Sequence, residues 1–144
     1  MGTKSIPEIT ESAVSAFLAD QTELAGLNIY KGIAVSSTSL PLVVVSCQSV
    51  SPVADIPGDL GNYDCTVVLQ LFTSADASNA LTNHRDRCAA LMGAMQDVAN
   101  LKAKFTAQGD ATAYDAVYVS TDTGFGDRAI ESTLTYTVTL VLPA

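Results

Sequence analysis

Few residues of this sequence have side chains suited to acid–base or nucleophilic chemistry. His84 is the only histidine among 144 residues, and Cys88 follows it by four positions. This spacing puts both side chains on one side of a helix, whereas a nucleophilic cysteine and its base usually come from separate elements. A histidine on the apolar side of a helix is more typical of a buried, hydrogen-bonded side chain than of a catalytic base. We therefore predict structural roles for both residues and no enzymatic activity.

The cysteines give little support to a metal site or a disulfide framework. Cys47, Cys65 and Cys88 are odd in number and none forms a C-x-x-C pair, which is the spacing that such sites favour. We expect buried free thiols in a reducing compartment.

Carboxylates and glycines likewise indicate no cofactor. Asp55, Asp59 and Asp64 lack the spacing of a calcium loop. Gly124 and Gly126 form a G-x-G that precedes a strand pattern rather than a helix, so the context of a phosphate-binding loop is missing. The sequence predicts no metal and no cofactor.

Composition and charge exclude several partners. The net charge is −8 and only 15% of residues are charged, against about 25% in typical domains. No two basic residues are adjacent, which argues against specific nucleic-acid binding and against binding to a membrane surface.

Residues 1–10 lack the apolar core of a signal peptide, and the run 40–45 is too short to cross a bilayer. We expect a soluble chain made in a cytoplasm, with a weakly charged surface that is easily desolvated or simply rich in alanine and threonine.

Hydrophobic periodicity predicts the elements that position these residues. Helices are expected over 7–24 and 77–99, with the stripe Leu81, His84, Cys88, Leu91, Met95 and Val98 packing on a sheet. Strands are expected over 40–50, 63–73, 114–121 and 128–142, with a further short one compatible with 27–30, and 101–111 is a connection. The order predicts an α+β fold: a single domain, 1–144, whose mainly antiparallel four-stranded sheet of two hairpins is flanked by two helices.

Three features are candidate contacts with a partner or another subunit. Thr133, Thr135, Thr137 and Thr139 form a neutral row on the last strand, which suits either a subunit contact or a half-exposed face chosen for β-propensity. Phe125 lies at a glycine-containing turn and could insert into a partner. The segment 51–62 exceeds the length of a tight hairpin loop and carries Val53, Ile56 and Leu60.

In the order, length and residue types of these segments, the chain resembles the tail terminator, or tail completion, proteins of long-tailed bacteriophages. The likeness is carried by a first helix ending in LAGL (24–27), the strand LPLVVV (40–45), the strand DCTVVLQLFT (64–73), the long Ala/Leu helix and the threonine-rich last strand.

This resemblance implies a structural protein of the virion neck, assembled in the host cytoplasm. Such proteins form homo-oligomeric rings, usually hexamers, that contact the tail tube protein on one side and the head-side connector or stopper protein on the other. They have no catalytic residues. An acidic ring would let DNA pass without holding it.

The sequence is also compatible with other functions. The chain could be another neck or tail component, namely a head-completion or stopper protein or a tail tube subunit. A small cytosolic enzyme would need a convergent polar pocket. A ligand-binding module would be favoured by an apolar cavity between the sheet and the long helix.

Overall fold

A computed structural model describes residues 5–32, 40–53, 62–76, 78–108 and 111–141 of the chain, with helical segments before the first three strands and again before the last two. The described α-helices are α1 (Ile6–Ala19), α2 (Ala80–Met95) and α3 (Val98–Ala107), and a short 3-10 helix spans Thr22–Leu24. The described strands are β1 (Asn28–Lys31), β2 (Leu42–Pro52), β3 (Asn62–Ser74), β4 (Thr112–Phe125) and β5 (Ala129–Val141). The α+β class is confirmed.

The five described strands form one mixed sheet in the order β1-β2-β3-β5-β4. The two predicted hairpins, β2–β3 and β4–β5, are present and antiparallel, and β3 joins them by pairing with β5. The prediction of a four-stranded sheet was incomplete, because β1 adds to β2 in parallel. The short strand compatible with 27–30 is present as β1, but four residues do not indicate a partner, because tertiary packing chooses it.

All three described helices lie on one face of this sheet. The hydroxyl of Thr10 on α1 contacts Cys65 on β3, and His84 on α2 is hydrogen-bonded to Thr73 on the same strand. Phe105 on α3 is fully buried in the same core cluster. The alternation of β5 confirms the predicted faces, since Leu134, Tyr136, Val138 and Leu140 are buried while the threonines between them are half-buried.

The first helix is shorter than the predicted 7–24. Ser5 caps it by accepting a hydrogen bond from the Glu8 N–H, as its sequence indicates. The N–H groups of Asp20 and Gln21 bond to carbonyls three residues back, which tightens the last turn. Gln21 is then extended, so the helix ends at Ala19.

The second predicted helix, 77–99, is two helices, and the predicted connection 101–111 is largely helical. The Asp97 side chain accepts a hydrogen bond from the Asn100 N–H and starts α3, because an aspartate at this position satisfies an otherwise unpaired helical donor. Leu101 and Phe105, one turn apart, are buried in the core. Val98 therefore belongs to α3 and not to the stripe of α2.

Candidate interaction surface

The outer strand β4 carries the apolar side chains that the fold leaves exposed. Among the described residues, the five large apolar side chains that are exposed all belong to β4: Tyr114 (54%), Val117 (51%), Tyr118 (43%), Val119 (55%) and Phe125 (70%). Scattered apolar residues on a surface are normal, but a concentration on one strand marks a contact site. Phe125 is exposed as predicted, at the end of the strand rather than within a turn.

The edge strand β4 also has an outer row of backbone groups that no described strand pairs. Edges of this kind are usually short or protected by lysine or proline. This strand is 14 residues long and has neither. Two register irregularities, at 113/115 and 118/120, and the carboxylates Asp115 and Asp122 are its protection. Because the strand is long and lacks lysine and proline, a neighbouring protein segment can still add to its open edge.

A groove separates α2 from the helix-side face of β4. Its volume is about 470 Å³. The lining residues are Leu81, His84, Arg85, Cys88, Ala89 and Met92 of α2, Thr121, Thr123 and Phe125 of β4, and Ser132 of β5. We call it the α2 groove. Leu81, Cys88 and Met92 are only partly buried, so the predicted stripe of α2 does not pack wholly on the sheet, and part of it faces this groove.

Hydrogen bonds at the floor of the groove hold α2 to the sheet. His84 is 1% exposed, and its Nδ1 lies 2.7 Å from Thr73 Oγ1 while its Nε2 lies 2.7 Å from Ser132 Oγ. Ser132 Oγ also lies 2.8 Å from Thr123 Oγ1 on β4. The predicted buried, hydrogen-bonded histidine is confirmed.

This arrangement joins a hydroxyl, an imidazole and a second hydroxyl in the order of a catalytic triad. Its environment favours a structural role, because Ser132 is completely buried and lies on a strand paired on both sides. Thr73 is neutral and offers an imidazolium no charge. Burial lowers the pKa of His84 and raises that of the Cys88 thiol, which keeps both groups uncharged near neutral pH.

The threonine row lies on the sheet face opposite the helices. Thr133, Thr135, Thr137 and Thr139 pair with Asp122, Ser120, Val117 and Asp115 of β4 on one side. Thr139 donates a hydrogen bond to Asp64 of β3 at 2.7 Å. We call this surface the threonine face.

The threonine face carries only negative charge among the described residues, whereas the helix side carries both signs. Among the described residues the threonine face holds the carboxylates of Asp64, Asp115, Asp122 and Glu131 and no basic side chain. Four of the six described basic residues lie on α2 and α3: Arg85, Arg87, Lys102 and Lys104. Lys104 pairs with Asp20 at the end of α1.

The third candidate contact is described only at its start. Val53 is partly buried, and its N–H donates to the Asn62 carbonyl at 3.1 Å, closing the base of the β2–β3 connection. Ile56 and Leu60 lie outside the described residues. The structure does not bring Val53 together with the edge strand, because β2 and β4 are separated by β3 and β5.

Sequence reasoning missed Tyr114, Val117, Tyr118 and Val119 as surface residues. Their segment was recognised as a strand, and an apolar strand is ordinarily read as core. The available signal was that both of its alternating sets are apolar, apart from Asp115, which suits either a central strand or an edge that contacts a partner.

Two further properties concern metals and membranes. Within the described ranges, no group of three or more His, Cys, Asp or Glu is placed to hold a metal ion. In the same part of the chain, none of the helices has the length and apolar character needed to cross a bilayer.

Comparison with known proteins gives a likeness in fold. No family model and no curated protein matches the sequence. Among solved structures, the chain is similar to one described as the virion of a native gene transfer agent (GTA) particle, with 11% sequence identity and a TM-score of 0.64. The match covers 92% of this chain and 93% of that chain.

Proposed function

We propose that this chain is a structural virion protein of a tailed, phage-like particle, in which copies of it form a ring that terminates the tail tube. In this proposal the ring sits at the neck and joins the tube to the head-side connector. Its hexameric form, its neck position and its two partners are inferences from the family resemblance described above.

The fold likeness carries the proposal. A chain of a virion particle shares the fold over nearly the full length of both chains, so the likeness involves the whole architecture rather than one common motif. Because sequence identity is 11%, the likeness supports the fold alone, and the inferred role depends on the surfaces of this chain.

Those surfaces suit a subunit of an assembly. Five large exposed apolar side chains on one edge strand, whose outer side no described strand pairs, are costly for a protein that stays monomeric. Burying them against another protein removes apolar area from water, which is worth roughly 25 cal/mol per Å² before the costs of association.

The acidic threonine face suits the passage of DNA. A ring that turned this face toward its lumen would present the carboxylates of Asp64 and Glu131 and the threonine hydroxyls to the DNA phosphates. Like charges repel, so the DNA would pass without being held. The same charge argues against a specific nucleic-acid site.

The chain acts in this proposal without catalysis and without a cofactor. Ser132 and His84 are both buried, and their hydrogen bonds join α2, β3, β4 and β5 into one unit. Such a network makes a rigid subunit.

A second candidate function is a small ligand-binding module. It is favoured by the α2 groove, since about 470 Å³ lined mainly by apolar side chains falls within the size range of ligand pockets. The apolar dye ANS offers a simple comparison. A ligand module would bind one dye in the groove irrespective of assembly, whereas a subunit contact would lose dye binding when the ring forms.

Position in an assembled particle tests the neck proposal. Particles made by cells that express the chain with an affinity tag would be labelled with a gold-conjugated antibody and imaged by electron microscopy. Label at the junction of head and tail is the expected result, and deletion of the gene should leave heads and tails unjoined. Label along the whole tube would instead favour a tube subunit, and particles without label would contradict a virion role.

A further inference from the structure

We infer that the edge strand β4 of one copy contacts the α2 groove, which Arg85 lines, on a neighbouring copy. This inference rests on the proposed ring and names the surfaces that join its subunits. The juxtaposition of an acidic apolar edge with a cationic apolar groove carries it.

The chemistry of β4 defines half of this contact. Val117 and Val119 offer apolar surface, while Asp115 and Asp122 place two negative charges on the same strand and no positive one. A partner that covers this strand must therefore be apolar and carry positive charge. Direct pairing of two β4 strands would bring together two surfaces of the same sign, which disfavours it.

The exposed side of α2 supplies the other half. Leu81, Arg85, Cys88, Ala89 and Met92 follow one another at helical spacing and line the groove. Arg85 lines the groove, is exposed and has no ion-pair partner among the described residues. The groove therefore combines apolar area with the positive charge of Arg85, and both complement the apolar, acidic surface of β4.

Two different patches on each subunit also provide the geometry of a ring. A contact between unlike surfaces is heterologous, and repeated heterologous contacts close into a ring when the rotation between subunits allows it. A second copy of this chain is therefore the occupant that matches the groove in polarity and charge and that supplies the symmetry.

Charge reversal tests the pairing. The first variant is Asp115→Lys with Asp122→Lys, and the second is Arg85→Glu. Native mass spectrometry over a concentration series would give the dissociation constant of the oligomer for each. Two matched reversals away from the contact, Glu23→Lys and Lys102→Glu, serve as controls, and circular dichroism with urea unfolding checks that every variant folds.

Each reversed variant alone should dissociate more than about tenfold more readily than the unaltered chain, because like charges then meet across the contact. An equimolar mixture of the two should recover the oligomer, since each reversed strand faces a reversed groove when the variants alternate, and an even-numbered ring such as a hexamer permits this. The two controls should assemble normally.

The outcomes separate this inference from the proposed function. If the unaltered chain forms a ring and the arginine variant assembles as well as its control, the α2 groove is not the contact and the inference fails while the ring stands. A folded pair of variants that stays dissociated on mixing also overturns it. An unaltered chain that never assembles, alone or in particles, removes the ring itself.

Discussion

His84 Nε2 on α2 lies 2.7 Å from Ser132 Oγ on β5, and this contact fixes one wall of the α2 groove to the sheet. The other ring nitrogen bonds to Thr73 on β3, so a single imidazole links the helix to two adjacent strands. Apart from His84, the buried residues of α2 are Leu91, Ala94 and Met95, near its C-terminal end. The histidine therefore anchors the N-terminal half of the helix, where the groove lies.

Stability should depend on pH through this histidine. Burial lowers the pKa of folded His84 below its ordinary value of 6.5, so below that pH the unfolded chain binds a proton that the folded chain does not. The contribution is fully present above about pH 6.5 and is lost as the pH falls from there toward the lower pKa of the folded state. Urea unfolding midpoints measured across this window should fall with pH.

The variant His84→Gln provides the control. An amide can donate to one hydroxyl and accept from the other, but it does not titrate. Because the chain has one histidine and carboxylates titrate mainly near pH 4, the variant should show a flat midpoint over the same window. An equal slope in both proteins would contradict the role given to His84.

Removing the Ser132 hydroxyl should destabilise the fold. Ser132→Ala leaves His84 Nε2 and Thr123 Oγ1 without this partner, and an unsatisfied buried polar group costs about 1–3 kcal/mol. Ser49→Ala, an exposed position on β2, makes the same chemical change and should cost less than about 0.5 kcal/mol. Equal free energies of unfolding for the two variants would count against the network.

The packing of α3 predicts a larger loss. Phe105→Ala empties a completely buried site and should lower the free energy of unfolding by about 3–5 kcal/mol. Lys102→Ala, on the exposed side of the same helix, should change it by less than about 0.5 kcal/mol. Chemical denaturation of both variants measures the difference, and a similar small effect at both positions would show that α3 does not pack as described.

Thiol labelling should report the contact between subunits. Cys88 lines the α2 groove, whereas Cys47 lies on β2 away from it, and both are partly exposed. Burial raises the pKa of Cys88, and a hydrogen bond with Cys65 together with burial raises that of Cys47, so both thiols react slowly and labelling is followed at alkaline pH. Assembly should slow the labelling of Cys88 and leave that of Cys47 unchanged, as measured by mass spectrometry of the peptides. Equal protection of both thiols would remove the groove from the contact.

Much of the sheet could be predicted from the sequence, because its side chains alternate strictly. On β5 the half-buried residues at odd positions, four of them threonines, alternate with buried residues at even positions over the whole strand, as a strand with one buried face requires. The parallel pairing of β1 with β2 was beyond such reasoning, because four residues carry no readable period. Helix α3 was missed because only Leu101 and Phe105 mark its buried side.

The candidate surface was predicted only in part. Phe125 was expected to be exposed and is, and the threonine row occupies one face of the sheet as its spacing indicates. The α2 groove could not be foreseen, because the spacing of Leu81, Cys88 and Met92 gives the side of the helix and not the distance of that side from the sheet. The edge position of β4 depends on strand order, which local sequence does not encode.

The mass and shape of the purified chain test the central claim most directly. Native mass spectrometry combined with electron microscopy should show a closed ring of a single mass, and the resemblance to tail terminators predicts six subunits. A strict monomer at every concentration, together with absence of a ring from assembled particles, would contradict the claim that this chain is a ring-forming virion subunit.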